Sequence, residues 1–305
     1  MSTEIVQLLK YEVIFHWAAL FFYIFSAVFF IDYLFSKKAK GLNAGLWLAL
    51  IGLIAHSIAL GVRWYAVGHG PYLQKTESFS SIVWVAMFMF LVFSYKVPKL
   101  KCIGFVILPC CVLMMLLGLV YNQWFADYIG QALEHGRIDV ERGLYSTEGM
   151  IKPPPTFHGI WFITHITSTI VAMGAILISL STAMFYLLKK KKMEVEFYKK
   201  LPSLEIIDNY SYKFAGFGFI AWTVMVVTGS IWAEQSWGRY WGWDPIETWS
   251  LITWLFLGIY LHLRRFFKWE GVKASWFMIV CVIFSILTLF VIPFLTKTIH
   301  SEYFI

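Results

Sequence analysis

The sequence predicts an all-α polytopic membrane protein with about eight transmembrane helices. Of its 305 residues, 59% are hydrophobic, 19% are aromatic and only 14% are charged, and the mean hydropathy is +0.68. Several apolar runs reach the roughly 20 residues that a helix needs to cross a bilayer. These runs are continuous and lack the alternation of a transmembrane β-barrel. A soluble domain is therefore excluded, and we expect 1–305 to form a single integral membrane domain.

Eight apolar runs carry this prediction, and each has the length and composition of a membrane span. The third run is the shortest, and the fifth is long enough to project beyond the bilayer. Neither an internal repeat nor a low-complexity linker divides the chain. We expect the spans at 13–35, 43–66, 80–96, 102–120, 157–188, 213–233, 247–267 and 274–295.

Basic residues predict the orientation of these spans. Alternate connectors, beginning with the one that holds Lys37 and Lys38, carry 17 of the 25 Lys and Arg residues, and such connectors face the cytoplasm. Both termini, the 121–156 loop and the 234–247 loop are then on the outer side, periplasmic or lumenal. The same clusters account for the net charge of +7, so we expect no nucleic-acid partner. The predicted location is the bacterial inner (plasma) membrane, or the thylakoid membrane if the gene is in a plastid.

The connector before span seven is the most unusual segment of the chain. Four tryptophans and one tyrosine lie within 237–249, although connectors between spans are normally polar. Two interpretations are open: an aromatic belt at the membrane surface, or a binding surface for a flat, hydrophobic and partly polar ligand such as a porphyrin. Arg239 either pairs with a propionate of such a ligand or faces water. Asp244, Pro245 and Glu247 predict a helix start, with Asp as the N-cap and Glu three residues later.

Two histidines near the outer edge are candidate iron ligands, since an ionisable residue in a span is costly and is often functional. His165 lies about nine residues into span five, roughly 13 Å along the helix, and Trp161 lies one turn earlier. His158 is on the same predicted face as His165 and competes for that role. His300 follows the last span closely and reaches the same interface. Two imidazoles approaching from opposite sides are a simple way to bind a haem iron.

The other histidines and the cysteines have different predicted roles. His262 lies roughly 22 Å down span seven, near the inner leaflet, and is a further ligand candidate. His16 and His56 lie within spans one and two, where we favour packed polar residues that hydrogen-bond between helices. No role is predicted for His69 or His135. The four cysteines form no C-x-x-C pair, which argues against a zinc site or thiol exchange.

The motif Trp-Gly-x-x-Trp-x-Trp-Asp-x-x-Glu-x-Trp-Ser-Leu occupies 237–251 without departure from its pattern. It is the tryptophan-rich (WWD) signature of haem-handling membrane proteins, and with its flanks the chain resembles the CcsA (ResC) family of system II cytochrome c biogenesis. The resemblance covers nearly all of the chain. Further matches are Gly68-His69-Gly70-Pro71 followed by Glu77-Ser78, Trp161-x-x-x-His165, Tyr260-Leu261-His262-x-Arg264 and His300-Ser301-x-x-Phe304.

This resemblance implies a function in cytochrome c biogenesis with haem b as cofactor. His165 and His300 would be the external axial ligands of the iron, and His262 an inner ligand within the membrane. The implied partners are the CcsB (ResB) subunit, an apocytochrome c with a C-x-x-C-H segment and a thioredoxin-like thiol reductant protein. With CcsB, the chain would export or present haem and promote its thioether attachment, as half of a cytochrome c synthase (haem lyase). The loop residues that would bind haem are Trp237, Gly238, Arg239, Trp241, Trp243 and Asp244.

Other functions remain open on the sequence. A haem-b electron-transfer subunit of a respiratory complex also uses paired transmembrane histidines, but it needs no external tryptophan loop. A haem exporter without attachment activity is a second alternative. Length and the number of spans favour the CcsA family over the related haem-handling proteins of the system I pathway.

Overall fold

The computed structural model describes residues 3–36, 39–134, 155–199 and 201–296. Within these ranges all regular structure is helical, and eight segments are long and apolar enough to cross a membrane. The predicted fold class is therefore confirmed. The α-helices are α1 Thr3–Ser36, α2 Ala39–Val67, α3 Lys75–Lys96, α4 Gly104–Glu134, α5 Ile160–Lys191, α6 Glu196–Lys199, α7 Leu204–Trp237, α8 Pro245–Phe266, α9 Val272–Ile286 and α10 Ile292–Leu295.

Each predicted span corresponds to one of these segments, and the main differences are at the ends. The helices α1 and α7 begin nine to ten residues before the predicted spans, because the polar residues that precede each apolar run are also compatible with a helix. The helix α4 continues to Glu134, so the first part of the predicted 121–156 loop is helical. No Gly or Pro interrupts 121–129, which explains the continuation. Residues 135–154, including His135, lie outside the described ranges.

The central helix of the bundle is α5. It packs against α3, α4, α7 and α9, and 78% of an apolar 18-residue stretch within it is buried. The helices α1 and α2 form an antiparallel pair that α4 and α3 connect to the rest. This arrangement brings the beginnings of α3, α5 and α8 and the end of α7 to the same end of the bundle. The tryptophan-rich loop lies there and comprises 238–244; it is shorter than the predicted 234–247 because α7 continues to Trp237 and α8 begins at Pro245.

His56 is fully buried and connects three helices. Its Nε2 lies 2.7 Å from the hydroxyl of Ser80, and its Nδ1 lies 3.4 Å from the hydroxyl of Tyr23. The same Ser80 hydroxyl lies 3.3 Å from Nε2 of His16. The prediction that His16 and His56 are packed residues with hydrogen bonds between helices is confirmed.

An ion-pair network stabilises the connector between α2 and α3. The guanidinium of Arg63 donates to Glu77 at 2.8 Å and to the side chain of Gln74 at 2.8 Å, and it lies 3.4 Å from Glu12. The second carboxylate oxygen of Glu77 accepts from the backbone amides of Leu73 and Gln74. Since Glu77 is the third residue of α3, one carboxylate both caps this helix and joins it to α2.

A second network lies at the opposite end of α7 and α8. Nη1 of Arg264 lies 2.6 Å from Oδ2 of Asp208, and Oδ1 of Asp208 accepts from the backbone amide of Gly271 at 3.0 Å. Three helices, α7, α8 and α9, are therefore joined through one buried carboxylate. The charge of Arg264 is neutralised within the protein, so the sequence motif around His262 includes a structural arginine.

The last span contains a π-helical turn, Leu287–Val291, between α9 and α10. Thr288 in this turn is fully buried. Its hydroxyl lies 2.7 Å from the hydroxyl of Thr253 and donates to the carbonyl of Trp249 at 3.0 Å. These bonds join the turn to α8, and such turns are frequent at functional sites.

Candidate functional site

A mostly apolar cleft lies beside the tryptophan-rich loop, at the end of the bundle where α3, α5 and α8 begin. Its volume is about 1240 Å³, including the part that is open to the surroundings. Ligand pockets in proteins are typically apolar with a few polar groups, and the cleft has this character because aliphatic and aromatic side chains surround a histidine and a carboxylate. Prominent lining residues are Phe79, His165, Tyr240, Trp241, Glu247 and Phe290.

His165 lies in the second turn of α5 and lines the cleft. Its Nδ1 lies 2.8 Å from the backbone carbonyl of Met225 on α7. Because a carbonyl can only accept, the ring proton is on Nδ1, and in the neutral ring the lone pair is on Nε2. Histidines that bind metals are usually oriented in this way, with the second ring nitrogen donating to a carbonyl or carboxylate.

His158 does not share this position. The helix α5 begins at Ile160, after the N-cap Gly159, and Pro155–His158 forms a separate 3₁₀ turn. The expectation of one continuous helix from residue 157, with both histidines on one face, is therefore wrong. His158 is exposed and does not line the cleft.

The conformation of the tryptophan-rich loop depends on Glu247. Helix α8 begins at Pro245 with Asp244 as N-cap, and Oδ1 of Asp244 accepts from the amide of Ile246 at 2.9 Å. Oε2 of Glu247 accepts from the amides of Gly242 at 2.8 Å and Asp244 at 3.2 Å. The predicted capping box is confirmed, and the same carboxylate also organises the loop before the helix.

Trp243 lies between these two amides and has a φ of 58°. A residue with a side chain rarely adopts this left-handed conformation, which costs about 1–3 kcal/mol. At the other end of the loop, Gly238 terminates α7 with a φ of 69°, and its amide donates to the carbonyl of Glu234. Glycine adopts this conformation without strain, which explains its place in the motif.

The motif's tryptophans at 237, 241 and 243 have different environments. Trp241 lines the cleft, and its Nε1 is buried without a hydrogen-bond partner among the described residues. Trp243 is 70% exposed and contacts Trp241 edge-on, with ring centroids 5.9 Å apart. Trp237 instead packs at 5.0 Å against the buried Trp232, in a small apolar cluster with Phe157. Only Trp241 of the three is therefore part of the cleft lining.

Arg239 and His262, two further predicted site residues, do not line the cleft. Arg239 is exposed and lies against the backbone of Gly242, because a Cβ at Gly242 would be 2.5 Å from its Cζ. His262 is exposed near the far end of α8, about 26 Å from the start of that helix, with its ring 4.7 Å from that of Phe266. His300 lies outside the described residues.

Sequence reasoning missed the part of the cleft that α7 supplies. Met225 contributes only its backbone carbonyl, which accepts from His165. Every residue type has this group, so the sequence gives no signal for it. Gly229 does leave a signal, because a glycine inside an apolar helix indicates a close approach of another group. Ser230 on α7 also lines the cleft, as does Ser250 on α8.

Residues 72–300 match the model of the cytochrome c assembly protein family. The chain belongs to this family. This assembly protein is 26% identical to the cytochrome c biogenesis protein CcsA of Guillardia theta over 292 residues, 90% of each chain. It is 31% identical to CcsA of Chlamydomonas reinhardtii over 222 residues, which are 72% of this chain and 56% of that relative. The predicted CcsA family and the predicted function in cytochrome c biogenesis are confirmed, and the protein is an integral membrane protein.

Among solved structures, the assembly protein is similar to Cytochrome c Heme Lyase CcmF, with a TM-score of 0.62 and 13% identity. The similarity covers 97% of this chain and 48% of that chain. At this identity the comparison shows a shared fold and nothing more. The assembly protein thus corresponds to about half of the larger chain.

Proposed function

We propose that this assembly protein binds haem b in the cleft beside the tryptophan-rich loop and presents it at the outer face of the membrane for attachment to apocytochrome c. The observation that carries the proposal is the orientation of His165. Its Nδ1–H donates to the Met225 carbonyl within a large apolar cleft, so Nε2 has the lone pair that an iron ligand needs.

The residues of the cleft fit a porphyrin. The lining is mostly aliphatic and aromatic, as the faces of a macrocycle require. Trp241 contributes a ring and a buried indole N–H, which suits a ligand with an acceptor at its edge. The family match includes the whole loop and His165.

In this proposal the residues of the chain bind and orient haem, and no acid–base step is assigned to them. His165 would ligate the iron, and the cleft lining would exclude water from the ligand. Haem supplies the vinyl groups to which the two thiols of a C-x-x-C-H segment add. Trp243, which is 70% exposed beside Trp241, offers an aromatic surface to the docking polypeptide. Bringing thiols and ligand together converts a slow encounter into a local reaction.

The other components of the proposal follow from the family resemblance. His300 would be a second iron ligand at the outer face. His262 would be an inner ligand, and its exposed position beside Phe266 suits a site completed by the CcsB (ResB) subunit. The chain would be half of a cytochrome c synthase, with both termini outside and a thioredoxin-like protein keeping the substrate thiols reduced.

The test uses His165→Gly and His300→Gly variants, each co-expressed with CcsB and a c-type cytochrome reporter. We expect loss of covalent haem attachment and of Soret absorption from the purified complex, with partial recovery on adding imidazole, which can replace the missing ligand. His158→Gly is the matched control, since His158 is close in sequence but exposed outside the cleft. Unchanged attachment in both ligand variants would overturn the assignment.

One alternative function is distinguishable in the same system. A haem exporter without attachment activity would no longer be needed when haem is supplied outside. Deletion of the chain with haem added externally would then leave c-type cytochromes assembled, whereas our proposal expects them to remain unassembled.

A further inference from the structure

Gly229 on α7 faces the ring of His165 on α5. A Cβ placed on Gly229 would be 2.5 Å from Nδ1 and 2.6 Å from Cε1 of His165. These distances are far below van der Waals contact, so the ring occupies the space that any side chain at this position would need. Both residues line the cleft.

The backbone of Gly229 shows why glycine is present. Glycine is unfavourable inside a helix, and the usual reason to keep one is a left-handed φ. Gly229 is not among the positive-φ glycines and lies well inside α7. The requirement is therefore space for the approaching imidazole.

The absence of a side chain at Gly229 also gives the imidazole access to the backbone of α7. Met225 is one turn before Gly229, so its carbonyl lies where the missing side chain exposes it. Nδ1 of His165 reaches this carbonyl at 2.8 Å. A carbonyl oxygen has two lone pairs, so it can accept from the ring as well as from the helix.

We propose that Gly229 is a positioning residue for His165: the absence of a side chain at 229 lets the Met225 carbonyl fix both the orientation and the tautomer of the ring. The role as a determinant of haem binding rests on the proposed function, in which His165 is an iron ligand. The positioning itself is a property of the haem-free chain and is testable without haem.

The substitution Gly229→Ala separates positioning from folding. The methyl group conflicts with the end of a side chain and not with backbone, so the ring can rotate away while the helices stay packed. Nδ1 then loses the Met225 carbonyl and its fixed tautomer. Loss of such an orienting partner typically lowers affinity for the bound metal about 10–100-fold, and we expect a decrease of this size in haem affinity.

Gly216→Ala is the matched control. Gly216 lies on the same helix, outside the cleft, and a Cβ there would meet only a side-chain carbon of Leu261 at 4.0 Å. Both variants gain the same helix propensity. A change that appears in Gly229→Ala but not in Gly216→Ala is therefore due to the position facing His165.

Two measurements test the proposal. The first is ¹⁵N NMR of the full-length, haem-free chain with labelled histidine, where the His165 signals are identified by their loss in His165→Gly. We expect one protonated and one unprotonated ring nitrogen in the wild type and in Gly216→Ala, and averaged signals in Gly229→Ala. The second is haem titration followed by Soret absorption, with and without added imidazole.

The double variant His165→Gly/Gly229→Ala completes the design. Without the ring, the methyl group has nothing to displace, so we expect Gly229→Ala to have no further effect on haem affinity in this background. If Gly229→Ala alone fails to accumulate, the double variant should accumulate, because the conflict is with the imidazole. Failure of both to accumulate would overturn the proposal.

The outcomes distinguish this inference from the proposed function. An unchanged tautomer and unchanged haem affinity in Gly229→Ala would overturn the positioning role. Unchanged haem affinity in His165→Gly would overturn the ligand role, while the NMR comparison would still decide whether Gly229 positions the ring.

Discussion

The loop that carries Trp241 and Trp243 is expected to depend on a single carboxylate. Glu247 accepts from the amides of Gly242 and Asp244, and hydrogen bonds to a charged group contribute about 1.5–3 kcal/mol each. Glu247 is half-buried, so the lower value applies, and the two bonds contribute about 3 kcal/mol. The left-handed Trp243 between them costs at least about 1 kcal/mol. Glu247→Ala should therefore make the observed loop conformation unfavourable.

Hydrogen exchange of the Gly242 and Asp244 amides measures this effect. A loss of about 3 kcal/mol corresponds to exchange about 100-fold faster in Glu247→Ala, since 1.4 kcal/mol is a factor of ten. Glu247→Gln keeps an oxygen acceptor without its charge and should give an intermediate increase of about tenfold. The control is Glu205→Ala, an exposed glutamate in the first turn of α7. Wild-type exchange rates in Glu247→Ala would refute the reasoning.

Three further predictions concern other parts of the bundle. Asp208→Ala removes the carboxylate that lies 2.6 Å from the guanidinium of Arg264, so the free energy of unfolding should fall by about 3–5 kcal/mol. An unchanged thermal midpoint in detergent would contradict this. Trp241→Phe removes an indole N–H that has no partner among the described residues, so the haem-free protein loses no hydrogen bond. Under our proposal this N–H donates to the ligand, so a haem titration should show weaker binding, and unchanged affinity would argue against that role. Gly52→Ala places a Cβ 2.7 Å from the ring of Tyr23 and should lower the free energy of unfolding by about 1–3 kcal/mol. The control Gly61→Ala, with nothing within 4 Å of the new Cβ, should not destabilise the protein. Equal thermal midpoints for the two variants would argue against the packing explanation.

Features that depend on local sequence could be predicted. The eight spans follow from the length of the apolar runs, because a bilayer admits few other solutions for such segments. The start of α8 follows from Asp244, Pro245 and Glu247, since capping uses groups only a few residues apart. The hydrogen-bonded state of His56 follows from the cost of a buried polar group without a partner.

Features that depend on contacts between distant segments could not be predicted from the sequence. The bond from His165 to the Met225 carbonyl joins residues 60 positions apart, and it exists because α5 packs against α7 and Gly229 leaves room for the ring. The fifth span is predicted to begin at residue 157, but the chain first forms a 3₁₀ turn and α5 begins at Ile160. The ion pair between Arg264 and Asp208 likewise joins residues 56 positions apart.

The π-helical turn at Leu287–Val291 restricts the length of the chain as well as its composition. Each residue of an α-helix advances the chain by about 100°, and a π turn contains one residue more than an α turn requires. Deleting that residue would remove the wide turn in which Thr288 reaches Thr253 and the Trp249 carbonyl. A one-residue change in the regular helix before the turn would instead rotate α10 by roughly 100°, which would move Pro293 out of the cleft that it lines. Single-residue insertions and deletions in this segment should therefore be tolerated poorly, even when every remaining side chain is kept.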